Sequence, residues 1–124
     1  MTLDAETTMD TVNDTTNTKK ATNGKALRTR DVQQSWDLIR AHAHNSDTVE
    51  DIDAYLAEMR HRMQDKLREV GYANAEVLPR ILTSHERKME TSGGEATPET
   101  ATDASRRITE MVIGKAALSA LDAA

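Results

Sequence analysis

At 124 residues the chain holds one small domain at most, and its formal net charge of −5 disfavours nucleic acid as an overall partner. It has no Cys, which excludes disulfides, thiolate metal sites and cysteine nucleophiles, and no Phe, with Trp36, Tyr55 and Tyr72 as its aromatics. So few flat side chains disfavour base-stacking platforms and aromatic-lined pockets, and leave an aliphatic core built from Leu, Ile, Val, Ala and six Met.

Residues 1–24 are rich in Thr and Asn, with Leu3, Met9 and Val12 the only large apolar residues between Met1 and Leu27. Such a stretch buries too little surface to offset its conformational entropy, so residues 1–28 are expected to form a disordered tail and 29–124 a helical domain. This Thr/Asn-rich N-terminus is similar to those of type III-secreted proteins, a resemblance of composition that implies export without a signal peptide. No charged region followed by an apolar stretch opens the chain, and no run of about 20 apolar residues occurs. The expectation is a soluble, cytoplasmic protein with no membrane span.

Lys19, Lys20, Lys25, Arg28 and Arg30 form a basic arm that leads into the first helix. Arms of this kind steer some proteins to phosphate backbones, which makes a nucleic-acid-associated regulator the alternative functional reading. The arm is short, however, and acids both precede and follow it.

Helix 1 is expected from about Arg30 to His44, capped by Thr29 or Asp31, because Val32, Trp36, Ile39 and Ala43 fall on one face. Asn45-Ser46 breaks the pattern and leads directly into helix 2, and so short a connection predicts antiparallel neighbours. Helix 2 is expected to fill Asp47 to Gly71. Asp47 and Thr48 can cap it, with Glu50 and Asp51 three residues beyond, and Gly71 stands where a left-handed C-terminal cap belongs. Val49, Leu56, Met63 and Val70 recur every seven residues, with Ile52 and Met59 between them, the pattern of a coiled-coil seam. Acids dominate the first half of this helix and bases the second, as the macrodipole favours.

A third helix is expected from Asn74 to about Glu90, with Pro79 in its first turn or at its true start. A flexible break is expected near 91–97, at Thr91-Ser92-Gly93-Gly94. The fourth helix begins either at Thr97-Pro98-Glu99 or nearer Thr102-Asp103, and runs through Ile108, Met111, Val112, Leu118 and Leu121. Gly114 in its middle costs roughly 1 kcal/mol relative to Ala, which points to a close crossing or a bend. The fold class read from these patterns is all-α, a small bundle of three to four helices around an antiparallel hairpin.

Little in the sequence carries catalytic chemistry. His42 and His44 lie about 200° apart around a helix, His61 is flanked by Arg60 and Arg62, and His85 stands on an apolar face as a core histidine would. The acids Glu50, Asp51 and Asp53 suit capping, no Gly-x-Ser-x-Gly elbow occurs, and Gly93-Gly94 lacks the Lys-Ser/Thr of a phosphate loop. No catalytic, cofactor or metal residue is assigned, and the protein is read as no enzyme. What is present suits association between helices, either self-association or contact with a protein partner. The contact residues expected are Val49, Ile52, Leu56, Met59 and Met63 on helix 2, with Met111 and Leu118 on the last helix.

Overall fold

The computed structural model describes residues 27–123, and these are helical with no strand among them. The tail expected over residues 1–28 lies outside the described residues except for Leu27 and Arg28. In place of three to four helices there are five: α1 (Thr29–Asn45), α2 (Ile52–Glu69), α3 (Leu78–Ser92), α4 (Asp103–Ile113) and α5 (Lys115–Ala123). A single 3-10 turn, Ala75–Val77, precedes α3.

The extra helix comes from Gly114. Its φ of +94° and ψ of 160° lie in a region essentially reserved for glycine, so the predicted last helix breaks into α4 and α5. A Cβ built there would meet nothing within 4 Å, so the residue makes a bend and not a close crossing.

Helix boundaries follow from caps. The side chain of Asp51 accepts from the amide of Ala54 (3.1 Å), so α2 starts at Ile52 and Val49 lies outside it, four residues later than Asp47 would have set. At the other end Gly71 has φ +79°, Tyr72 N–H reaches Leu67 O (2.9 Å) and Gly71 N–H reaches Arg68 O (3.1 Å). That is the paired bonding of a Schellman cap, and it carries Tyr72 into the core beside Leu67. Thr29 caps nothing; its hydroxyl meets the Tyr72 hydroxyl at 3.1 Å. Of the two predicted starts for helix 4 the second is used: Thr102 Oγ1 accepts from Ser105 N, while Thr97–Thr100 forms a separate turn.

The core joins Val32, Trp36 and Ile39 of α1 to Met59, Met63 and Leu67 of α2, Leu78 and Leu82 of α3, and Ile108 and Val112 of α4. Helix α1 is its centre. It packs most extensively on α4 and also touches α2, α3 and α5.

Polar side chains complete the packing around α1. Asp31, Gln34, Asp37 and Arg40 all hold the segment between α3 and α4. Thr102 Oγ1 donates to Asp31 (2.8 Å), Thr102 N–H to Gln34 (3.2 Å), and Ala96 N–H to Asp37 (3.0 Å), while Arg40 donates to Glu95 (3.3 Å). Residues spaced by three turn about 60° per step around a helix, so the segment crosses α1 obliquely. The break expected near 91–97 thus contains Gly93 and Gly94, both at positive φ, followed by residues fastened to α1.

Candidate interaction surface

The apolar face of α2 is buried along one half and left half-open along the other. Seven residues return an α-helix to within about 20° of its starting direction, so Ile52 faces as Met59 does and Leu56 as Met63 does. Met59 and Met63 are nonetheless buried, with Leu67, whereas Ile52 and Leu56 are only half-buried. Leu56 and Tyr55 rest against the edge of the core. Val49, in the connection before α2, is half-buried too, and Val70 beyond its end is exposed. The seam is therefore continuous in direction but not in cover.

The open half has a defined chemical setting. The rings of His42, near the end of α1, and Tyr55 lie 5.9 Å apart and tilted. Partial burial holds the His42 imidazole below its ordinary range. Burial likewise raises the Tyr55 phenol, an effect opposed by nearby Arg62 and reinforced by Glu58. Asp47, Glu50, Asp51 and Asp53 are exposed around this face, and none of them makes an ion pair among the described residues.

The other expected contact residues separate. Leu118 is buried between α5 and its neighbours, while Met111 is 37 % exposed on α4. In the basic arm Arg28 and Arg30 are exposed, and Lys19, Lys20 and Lys25 lie outside the described residues.

Sequence reasoning missed the buried polar groups around α1. His85 does sit in the interior, but its partner is Asp37, whose Oδ1 lies 2.9 Å from His85 Nε2. A carboxylate only accepts, so Nε2–H donates. Ser35 and Thr109 share a 2.8 Å hydrogen bond between α1 and α4, and Thr109 also donates to Ser105 O. Glu86 accepts from Trp36 Nε1 (2.9 Å) and from Arg60, whose guanidinium also lies over the Trp36 ring at 5.3 Å. An apolar position holding His85 was the only signal of any of these. Asp31 enters the sequence reading only as a possible cap of the first helix, and no local pattern marks Asp37 or Glu86.

A shallow, open groove of ≈ 430 Å³ lies between the end of α1 (Ala41, Asn45), residues 96–99 and the end of α5 (Leu121, Asp122). Among the described residues no three His, Asp or Glu side chains gather to hold a metal, and no helix is long and apolar enough to cross a membrane. No family model matches the chain, and no curated protein or solved structure is found similar to it.

Proposed function

We propose that the protein is a non-enzymatic helical interaction module, of the kind that serves as an adaptor, chaperone-like factor, inhibitor or subunit of a larger assembly. The observation that carries this reading is the half-open end of the α2 seam. Val49, Ile52, Tyr55 and Leu56 offer apolar surface in the direction of the core seam, where a further helix can continue the packing that buries Met59 and Met63. Antiparallel packing of α1 on α2 belongs to the same reading. It is supported by two contacts at opposite ends, Thr29 with Tyr72 and His42 with Tyr55. The buried histidine favours a structural role as well, since Asp37 accepts from His85 and from the Ala96 amide, and neither side chain meets a hydroxyl nucleophile among the described residues. A cytoplasmic site of action, with export directed by the Thr/Asn-rich N-terminus, accompanies this reading as a proposal.

The test is co-purification from the native host using wild type, the Ile52→Glu/Leu56→Glu double variant and Met63→Glu. The reading expects a stoichiometric protein partner, or a self-associated species, that survives nuclease and high salt. The double variant should lose it while keeping its helical circular dichroism, and Met63→Glu should unfold. Capture unchanged in the folded double variant would remove the α2 face from the reading. Recovery of nucleic acid alone, lost in salt and in Arg28→Ala/Arg30→Ala, would favour the basic-arm alternative, for which the exposure of Arg28 and Arg30 speaks.

A further inference from the structure

The open end of the α2 face is bordered by acid on its sides and at its end. Measured around the helix from Ile52, Leu56 lies about 40° to one side and Tyr55 about 60° to the other, which defines the apolar strip. Asp53 stands at about 100° on the Leu56 side and Glu58 at about 120° on the Tyr55 side. Asp47, Glu50 and Asp51 precede the helix, and all five acids are exposed. No Lys or Arg stands between Arg40 and Arg60. The bases that follow are engaged within the fold: Arg60 joins Glu86 over the Trp36 ring, and Arg62 meets Glu58 at 3.6 Å and donates to Val112 O at 3.1 Å. Helix stability needs only part of this charge. Asp51 supplies the side-chain cap, and a helix N-terminus carries about half a positive charge, against four carboxylates from Asp47 to Asp53.

Resting on the reading of this face proposed above, we infer that its occupant is an amphipathic helix of a different protein, with an apolar ridge flanked by Lys and Arg. The ridge continues the seam over Ile52, Tyr55 and Leu56. The flanking bases meet the exposed acids, and their aliphatic stems cover the edges of the apolar strip. The sign of the rim also rejects the other occupants. A second copy docked face to face on a two-fold axis would set Glu50 and Asp53 against the same acids of its mate, and like charges so placed oppose association. Nucleic acid and anionic lipid surfaces are repelled in the same way. Opposite charge around an apolar centre acts on encounter and on choice of partner more than on residence. Added salt therefore slows association while the assembled complex persists, in keeping with recovery at high salt.

Two helical peptides of about three heptads, with one apolar face and either Lys or Glu at the flanking positions, test this on the full-length protein. The Lys peptide should shift the backbone amide signals of Val49 to Leu56 and bind at least about tenfold more tightly than the Glu peptide. In Asp47→Lys/Glu50→Lys/Asp53→Lys, which leaves the Asp51 cap in place, the order should invert. Equal affinity of the two peptides for wild type, or none, would overturn the inference, whether or not the triple variant folds. So would equal binding of a Lys peptide of the same composition with its apolar residues scattered, since charge alone would then suffice, or shifts that lie away from residues 49–56. A wild-type dimer in sedimentation that Ile52→Glu/Leu56→Glu dissolves would do the same, because the occupant would then be a second copy. Capture from the host separates the two readings. A partner lost in Ile52→Glu/Leu56→Glu but retained unchanged in the triple charge variant leaves the functional reading standing and removes this one.

Discussion

Asp37 on α1 and His85 on α3, forty-eight positions apart, meet through a 2.9 Å hydrogen bond with both side chains buried. The second carboxylate oxygen of Asp37 accepts the amide of Ala96. One acid thereby joins α1, α3 and the segment that leads into α4.

Asp37→Ala is expected to destabilise the fold by about 2–4 kcal/mol, since it leaves two buried or half-buried donors without an acceptor at roughly 1–3 kcal/mol each. Asp37→Asn keeps one accepting oxygen and should cost less. Denaturant titration followed by circular dichroism measures both. An Asp37→Ala variant within about 0.5 kcal/mol of wild type, the range of ordinary surface substitutions, would contradict the role given to this side chain.

Glu86→Ala removes the acceptor of the buried Trp36 indole and the partner of Arg60. The expected loss is about 1–3 kcal/mol, because the indole N–H stays buried without a partner. Trp36 is the single tryptophan, so its emission reports the site alone, and a shift toward longer wavelength in the folded variant would register water reaching the ring.

Gly114→Ala discriminates between a bend and a continuous helix. Where φ is +94° and ψ 160°, Ala is strained by about 1–3 kcal/mol, and with nothing near its Cβ the whole cost lies in the backbone. Were residues 103–123 one helix, the same change would stabilise by roughly 1 kcal/mol. The sign of the change in melting temperature decides between them.

His42 sets a pH dependence. Burial lowers its folded-state pKa below the ordinary value of 6.5, so the unfolded chain binds the proton more readily. The associated stability is fully present above 6.5 and is lost as pH falls through that value toward the lowered one. His42→Gln should therefore show a smaller drop in melting temperature between roughly pH 7.5 and 5 than wild type. Asp122 and Glu76 act at lower pH. Hydrogen bonds from Arg106 and Arg68, respectively, depress these exposed carboxyls, so their contributions persist above the ordinary carboxylate range and fade as pH falls through the depressed values.

Much of the fold is legible in local pattern. The Val32–Trp36–Ile39–Ala43 spacing predicts α1 to within a residue at each end, and Gly71 predicts the cap that ends α2, because face periodicity and left-handed caps are properties of a few neighbouring residues. The start of α2 moved from Asp47 to Asp51 because several adjacent acids can each cap a helix, and the local pattern does not rank them.

The sequence by itself determined an all-α fold for the described residues, the approximate places of the breaks between their helices, and which face of α2 is apolar. Tertiary structure alone decided how far that face is covered, since Ile52 and Met59 are equivalent in period and differ only in what lies above them. It also decided that Asp37 and Asp31 are buried acids and Glu86 a half-buried one. Their partners, His85 on α3, Thr102 in the segment before α4 and Trp36 on α1, lie far along the chain, and no local rule connects residues that only packing brings within hydrogen-bond distance.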